Sequence, residues 1–139
     1  MPTDVKIYKV RDFIRFNESG EIDFDRSMRM IHEFATTATL HAGCNILADL
    51  RETTVIGETN IGMVMQLALE VARYWSAYKG KIANVVPHDE KRLLVAKQFE
   101  AAMQLQGFNL KVFTSFEGAI DWLSEVTDVS DSGEAKRLS

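Results

Sequence analysis

Residues 45–50 read Asn-Ile-Leu-Ala-Asp-Leu, an apolar run that is followed by turn residues and then by a helical pattern. The same order recurs after residues 81–86 (Lys-Ile-Ala-Asn-Val-Val) and after residues 109–113 (Asn-Leu-Lys-Val-Phe). Apolar strands that alternate with amphipathic helices are typical of βαβ units on a parallel sheet. The stretch from Asn45 to Leu123 therefore predicts an α/β fold.

The size and composition of the chain fit one domain. Its 139 residues are 46% hydrophobic and 26% charged, close to the average of globular proteins. We expect a single domain over residues 1–125 and a polar, disordered tail over residues 126–139, because the tail lacks periodicity. The apolar runs are too short for a membrane span and the N-terminus does not resemble a signal peptide, so a cytoplasmic location is expected.

The charge pattern argues against two classes of partner. The formal net charge is −4, and the lysines and arginines are scattered along the chain. We therefore expect neither nucleic acid nor an anionic membrane as a partner. The single cysteine and the three histidines have no neighbours at metal-ligand spacing, so no metal and no other cofactor is expected.

Further strands are predicted before the repeated units. Alternating residues indicate two short strands at residues 6–8 and 13–16, with a turn at residues 17–21. Together with the later, parallel strands they give a mixed sheet of about five strands. Residues 51–58 fit neither the strand nor the helix period, so a loop is predicted there.

About four helices are predicted from capping residues and apolar stripes. The first begins at Asp23 or Asp25, and the second spans about residues 59–78. The third begins at His88 or Asp89, and the fourth follows the last strand and covers the sheet. An open parallel sheet has its crevice beyond the carboxyl ends of the strands, so we expect any site there, with the predicted loop as one wall.

The order of elements and several runs resemble the STAS superfamily of bacterial anti-sigma-factor antagonists, and more closely its SpoIIAA-like branch. The runs lie at residues 47–51 (Leu-Ala-Asp-Leu-Arg), 81–87, 112–113 and 119–123 (Ala-Ile-Asp-Trp-Leu). The resemblance implies a SpoIIAA-like domain over residues 1–125. It also implies a regulatory domain without enzymatic activity that binds another protein.

One segment departs from the pattern of that family. In phosphorylated members, an Asp-Ser-Ser/Thr-Gly segment opens the helix after this strand, and a serine or threonine accepts phosphate. Here the segment reads Gly57-Glu58-Thr59-Asn60, so Glu58 stands at the usual phosphoacceptor. Glu58 either complements the helix macrodipole or keeps the site in a phosphate-like state. Thr59 is either a helix N-cap or a phosphoacceptor.

The first functional hypothesis is therefore a protein-interaction module. Its surface would begin at Gly57 and continue along the second helix. This hypothesis predicts an exposed apolar patch and no cavity, with the patch formed around Met63, Gln66, Glu70 and Tyr74. The partner would be another protein or a second copy of this chain. A homodimer is predicted because Tyr74, Trp75 and Tyr78 supply more aromatic surface than one face can bury.

The alternative hypothesis is a binder of a small apolar or lipid-like ligand. The broader fold group is similar to the CRAL-TRIO lipid carriers, and six methionines and eight phenylalanines could line an adaptable pocket. This hypothesis predicts an apolar cavity beneath the second helix. The third hypothesis is an enzyme, for which His88, Asp49 and Arg51 are the only candidate residues. His88 would act as general base. Asp49 and Arg51 lie at a strand end and could also form an ordinary ion pair.

Overall fold

Four strands and four helices alternate strictly in the computed structural model, which describes residues 13–41 and 43–125. In chain order they are β1 Phe13–Ile22, α1 Phe24–Leu40, β2 Asn45–Val55, α2 Ile61–Tyr74, β3 Lys81–Val85, α3 Glu90–Leu105, β4 Asn109–Phe113 and α4 Phe116–Leu123. The strands form one sheet in the order β1-β2-β3-β4, and every neighbouring pair is parallel. The predicted α/β class is confirmed.

The described sheet has one strand fewer than the predicted number, and its parallel pairs agree with the directions predicted for the later strands. A mixed sheet of about five strands was expected, whereas the described sheet has four strands, all parallel. The extra strand at residues 6–8 and the tail at residues 126–139 both lie outside the described residues.

The predicted turn at residues 17–21 lies wholly within a strand, and the predicted loop at residues 51–58 lies within a strand as far as Val55. Residues 17–21 were expected to form a turn and residues 51–58 a loop, but β1 and β2 pair along their whole length, from Phe13 opposite Asn45 to Ile22 opposite Val55. The turn residues are absorbed by a register shift between residues 17 and 19 and by a positive φ of 88° at Gly20. Cross-strand pairing therefore outweighed the local turn signals.

Each helix begins with a side chain that accepts a backbone N–H three residues later. The acceptors are Asp23 for α1, Asn60 for α2, Asp89 for α3 and Ser115 for α4. From the sequence, the first helix could begin at Asp23 or Asp25 and the third at His88 or Asp89. In the structure, Asp23 and Asp89 are the N-caps. The N-cap assignment of Thr59 was wrong, because Asn60 accepts from the N–H of Met63 at 2.9 Å.

The second helix is shorter than predicted, since it ends at Tyr74. Trp75 is its C-cap and donates its indole N–H to the carbonyl of Ile31 at 3.0 Å. The hydroxyl of Tyr78 shares its hydrogen between the carbonyl oxygens of Cys44, at 2.6 Å, and Lys81, at 2.9 Å. These bonds draw the chain away from the helix axis and bury both aromatic rings.

The buried aromatic residues remove part of the basis of the predicted homodimer. Trp75 is 7% exposed and Tyr78 is 3% exposed, whereas Tyr74 is 43% exposed. One domain therefore buries two of the three aromatic side chains on which the homodimer prediction rested, and the third, Tyr74, stays exposed.

Two separate cores cover the two faces of the sheet, because successive strand residues point to opposite faces. On one face, α1, α2 and α3 pack over side chains that include Ile46, Ile82 and Leu110. On the other face, α4 packs with Ala119, Ile120 and Leu123 against Leu47, Ala83 and Val85. We call these the three-helix face and the α4 face.

Candidate functional site

A cavity of about 200 Å³ lies on the three-helix face, between the sheet and helices α1, α2 and α3. Its wall is almost entirely apolar, and aromatic and aliphatic side chains from all three helices and all four strands contribute to it. Prominent among them are Phe16, Phe34, Leu67, Trp75, Phe99 and Leu110. This is the cavity beneath the second helix that the ligand-binding hypothesis predicts.

Small side chains leave room at the centre of this space. Ala48 lies in the middle of β2, between Phe16 of β1 and Asn84 of β3 in the register of the sheet. Ala96 faces the cavity from α3. Because neither alanine reaches far from its backbone, the helices and the sheet enclose a space that their side chains do not fill.

The cavity reaches the surface at the carboxyl ends of β1 and β2. Asp23 and Val55, which follow or end these strands, line the cavity and are exposed. Trp75 and Leu110 line it at the opposite end, where β4 begins and α2 stops. The opening therefore lies at the edge of the sheet where the sequence predicted a crevice.

Arg92 lines this opening, and its charged side chain is hydrogen-bonded to the sheet. The guanidinium of Arg92, in the first turn of α3, donates from Nη2 to the hydroxyl of Thr53 at 2.7 Å and from Nη1 to the Thr53 carbonyl at 3.2 Å. The Thr53 hydroxyl in turn donates to the carbonyl of Leu50 at 2.6 Å. Thr53 is buried, so the end of β2 holds the guanidinium in a fixed orientation.

Two opposing effects act on the pKa of the Arg92 side chain. Burial lowers the pKa of its guanidinium, and the nearby carboxylate of Asp89 partly offsets this. That carboxylate is bonded to the backbone N–H of Arg92, at 2.8 Å, because it caps α3. Arginine starts from so high a pKa that the side chain stays positively charged at neutral pH.

Asn84 adds a polar group to the apolar wall. It lies on β3 and lines the cavity, although its strand neighbours on that face, Ile82 and Val86, are buried and apolar. Its amide has no hydrogen-bond partner among the described residues. Polar groups inside proteins are usually paired, so this amide is available to a ligand or to water in the cavity.

The segment that resembles the phosphorylated motif lies beside the opening. Thr59 lines the cavity and is half-buried. Glu58 is exposed, and Gly57 is exposed with a positive φ of 79°. The segment connects the end of β2 to the start of α2, so it forms part of the wall that was predicted for residues 51–59.

Asp49 and Arg51 lie on the α4 face and not in the cavity. Arg51 binds the Asp49 carboxylate at 2.9 Å through Nε and at 2.7 Å through Nη2, and Arg15 of β1 binds it at 2.8 Å. These bonds, chiefly those from the Arg51 side chain, lower the pKa of Asp49 to about 2. Both guanidinium groups lie over the ring of Phe116.

Of the residues named for the enzyme hypothesis, Asp49 and Arg51 form an ion pair, and His88 does not join them. His88 is exposed in the connection between β3 and α3, and no described hydrogen bond or ion pair joins it to Asp49 or Arg51. Over the described ranges 13–41 and 43–125, no three His, Cys, Asp or Glu side chains are grouped as metal ligands.

The outer face of α2 carries three large exposed hydrophobic side chains, Ile61, Leu69 and Tyr74. Of the four residues named for the predicted patch, Tyr74 alone is among them. Gln66 is exposed and Met63 is half-buried. Glu70 contacts Nε2 of His32, which also packs against the ring of Tyr74, so this part of α2 is engaged with α1.

Sequence reasoning missed Arg92, Thr53 and Asn84, although two of them carry a signal. Asn84 is the polar member of an otherwise apolar strand face. Arg92 begins the stripe that Ala96, Phe99 and Met103 continue at helical spacing, so it had to lie on the buried side of α3. Thr53 has no such signal, because its role depends on the extension of β2.

None of the helices in the part of the chain that the structure describes is long and apolar enough to cross a bilayer. Comparison of the chain with protein-family models, with curated proteins and with solved structures found no match.

Proposed function

We propose that this protein binds a small, largely apolar ligand in the cavity on the three-helix face. The cavity itself is the observation that carries the proposal. Its volume of about 200 Å³ exceeds the roughly 150 Å³ of an engineered apolar cavity that binds benzene. Its concave shape and apolar interior match the general character of small-molecule sites.

The energetics of apolar burial support a ligand. The cavity opens to the surface, so without a ligand its apolar wall faces solvent. Removing apolar surface from water is favourable by roughly 25 cal/mol per Å². An apolar ligand would cover this wall, and its binding would raise the free energy of unfolding.

The regulatory, protein-binding function implied by the STAS resemblance has less support. It predicts an apolar patch on α2 without a cavity, whereas the three-helix face holds a cavity. Exposed apolar surface is present on α2 at Ile61, Leu69 and Tyr74, so the cavity is what favours the ligand. The segment from Gly57 to Asn60 retains one role under our proposal, because Thr59 lines the cavity next to the opening. We therefore treat this segment as part of the entrance to the ligand site.

A cavity-filling variant tests the proposal. Ala48→Leu adds three carbon atoms where β2 faces the cavity, and Ala101→Leu adds the same atoms on the exposed side of α3. Binding of the neutral probe 1-octanol would be measured by isothermal titration calorimetry. We expect saturable binding to the wild type and to Ala101→Leu, and at least tenfold weaker binding to Ala48→Leu.

The stability of the same variants provides a second readout. Filling a cavity commonly raises the free energy of unfolding by about 0.5–2 kcal/mol. We expect such a gain for Ala48→Leu in urea unfolding and none for Ala101→Leu. Equal affinity of all three proteins for 1-octanol, or no saturable binding to the wild type, would contradict the proposed function.

A further inference from the structure

The cavity is apolar along most of its length but has a fixed positive charge at its opening. Arg92 lines the cavity at the end where β2 stops, whereas Trp75 and Leu110 line the other end. A ligand in this cavity therefore meets hydrocarbon surfaces at one end and a guanidinium at the other. This polarity matches an amphiphile and not a uniformly apolar molecule.

The guanidinium has donors to spare. Arginine carries five N–H groups, and the described contacts of Arg92 engage Nη1 and Nη2 with a single residue, Thr53. No described carboxylate lies within ion-pair distance of the Arg92 guanidinium. The nearby Asp89 carboxylate instead accepts the backbone N–H of Arg92 as the cap of α3. A half-buried cation without a paired anion is costly, and an anionic ligand group would remove that cost.

We propose that the ligand is a single-chain amphiphile whose carboxylate pairs with Arg92 and whose hydrocarbon chain occupies the cavity. This inference rests on the proposed function and names its ligand class. Arginine suits the role because its planar fork binds a carboxylate through two parallel hydrogen bonds. The contacts with Thr53 hold the fork in one orientation before the ligand arrives.

The cavity has room for a short hydrocarbon chain. Its volume of about 200 Å³ exceeds the roughly 150 Å³ of an engineered cavity that binds benzene. Octanoate is therefore a suitable probe, and 1-octanol is its uncharged counterpart of the same length.

Asp23 is the other charged residue on the described cavity wall, and its carboxylate already has a partner. Asp23 lines the opening, but its carboxylate accepts the N–H of Arg26 at 2.8 Å as the cap of α1. Asn84 lies beside Ala48 in the middle of the sheet and not beside Thr53. We therefore assign the carboxylate to Arg92 alone. A carboxylate at the opening can accept hydrogen bonds from Arg92, although one fixed anion lies on the same wall.

The test compares octanoate with 1-octanol by isothermal titration calorimetry at neutral pH and low salt. Arg92→Met keeps an unbranched apolar stem and removes the charge, and Lys91→Met removes a neighbouring charge that is exposed and does not line the cavity. We expect the wild type and Lys91→Met to bind octanoate at least tenfold more tightly than 1-octanol. We expect Arg92→Met to lose this preference while it retains its affinity for 1-octanol.

The outcomes separate this inference from the function on which it rests. Equal affinity of the wild type for both probes would overturn the inference and leave the proposed function intact, and this comparison does not depend on the folding of any variant. A preference for octanoate that persists in Arg92→Met would also overturn it. Absence of binding by both probes would remove the proposed function, and the inference with it.

Discussion

The substitution Asp49→Asn removes a buried charge that two arginines hold on the α4 face. Asp49 is 8% exposed, and its carboxylate accepts hydrogen bonds from Arg51 and Arg15. The Arg51 side chain makes the largest contribution to lowering its pKa from 3.8 to about 2, and burial opposes that effect. The substitution keeps the shape of the side chain and deletes its charge.

The magnitude follows from the difference between the two pKa values. A separation of one pH unit between the folded and unfolded pKa is worth about 1.4 kcal/mol. A carboxyl held near 2 instead of 3.8 would therefore contribute about 2.5 kcal/mol to the free energy of unfolding at neutral pH. The side chains of Arg15 and Arg51 are 42% and 38% exposed, so solvent screens the pairs, and we expect a loss of about 1–2 kcal/mol.

The sign of the pH dependence is fixed by the direction of the pKa change. A carboxyl with a lowered folded pKa stabilises the protein above its unfolded pKa, and this contribution is lost as the pH falls through the folded value. The difference in stability between wild type and Asp49→Asn should therefore be constant above about pH 5. It should shrink as the pH falls from about 4 to about 2.

Urea unfolding of both proteins between pH 7 and pH 2.5, followed by circular dichroism, measures this difference. Glu33→Gln is the matched control, because Glu33 is an exposed carboxylate on α1 and its substitution should change stability by less than about 0.5 kcal/mol. The reasoning would be refuted by a stability difference that stays constant down to pH 2.5, or by a loss no larger than that of the control.

Two further substitutions test the packing that ends α2 and shapes the cavity. A Cβ at Gly80 would lie 2.5 Å from the carbonyl oxygen of Cys44, whereas a Cβ at Gly43 meets nothing within 4 Å. Gly80→Ala should therefore lower the free energy of unfolding by about 1–3 kcal/mol, and Gly43→Ala should leave it nearly unchanged in urea titrations. Trp75→Phe removes the 3.0 Å bond to the Ile31 carbonyl, so we expect a loss of about 1–3 kcal/mol, and an unchanged denaturation midpoint would contradict that assignment.

Local signals in the sequence predicted most of the elements correctly. The apolar runs at residues 45–50 and 109–113 lie within strands, and Asp23 and Asp89 were among the residues named as helix caps. These predictions succeeded because strand alternation, helical spacing and capping each depend on residues that are near one another in the chain. The edge of the sheet where the cavity opens also followed from the parallel arrangement alone.

The ends of β2 and α2 could not be predicted locally, because they depend on contacts with residues that are distant in the chain. The extension of β2 to Val55 exists because Ile22 and its neighbours on β1 pair with that part of the chain. The early stop of α2 depends on contacts of Trp75 and Tyr78 with residues more than 30 positions away. No local period reveals such partners, so these predictions failed where tertiary contacts outweighed local preference.

The sequence by itself determined the α/β class and the order of the described helices and strands. It narrowed the caps of α1 and α3 to two residues each, and it predicted a site at the carboxyl ends of the strands. Only the tertiary structure decided that three helices enclose an unfilled apolar space and that Arg92, hydrogen-bonded to Thr53, lies at its opening. It also decided that Asp49 and Arg51 belong to the opposite face. The physical reason is that local periodicity shows which side of an element is buried, whereas a cavity and its charge depend on how separate elements pack together.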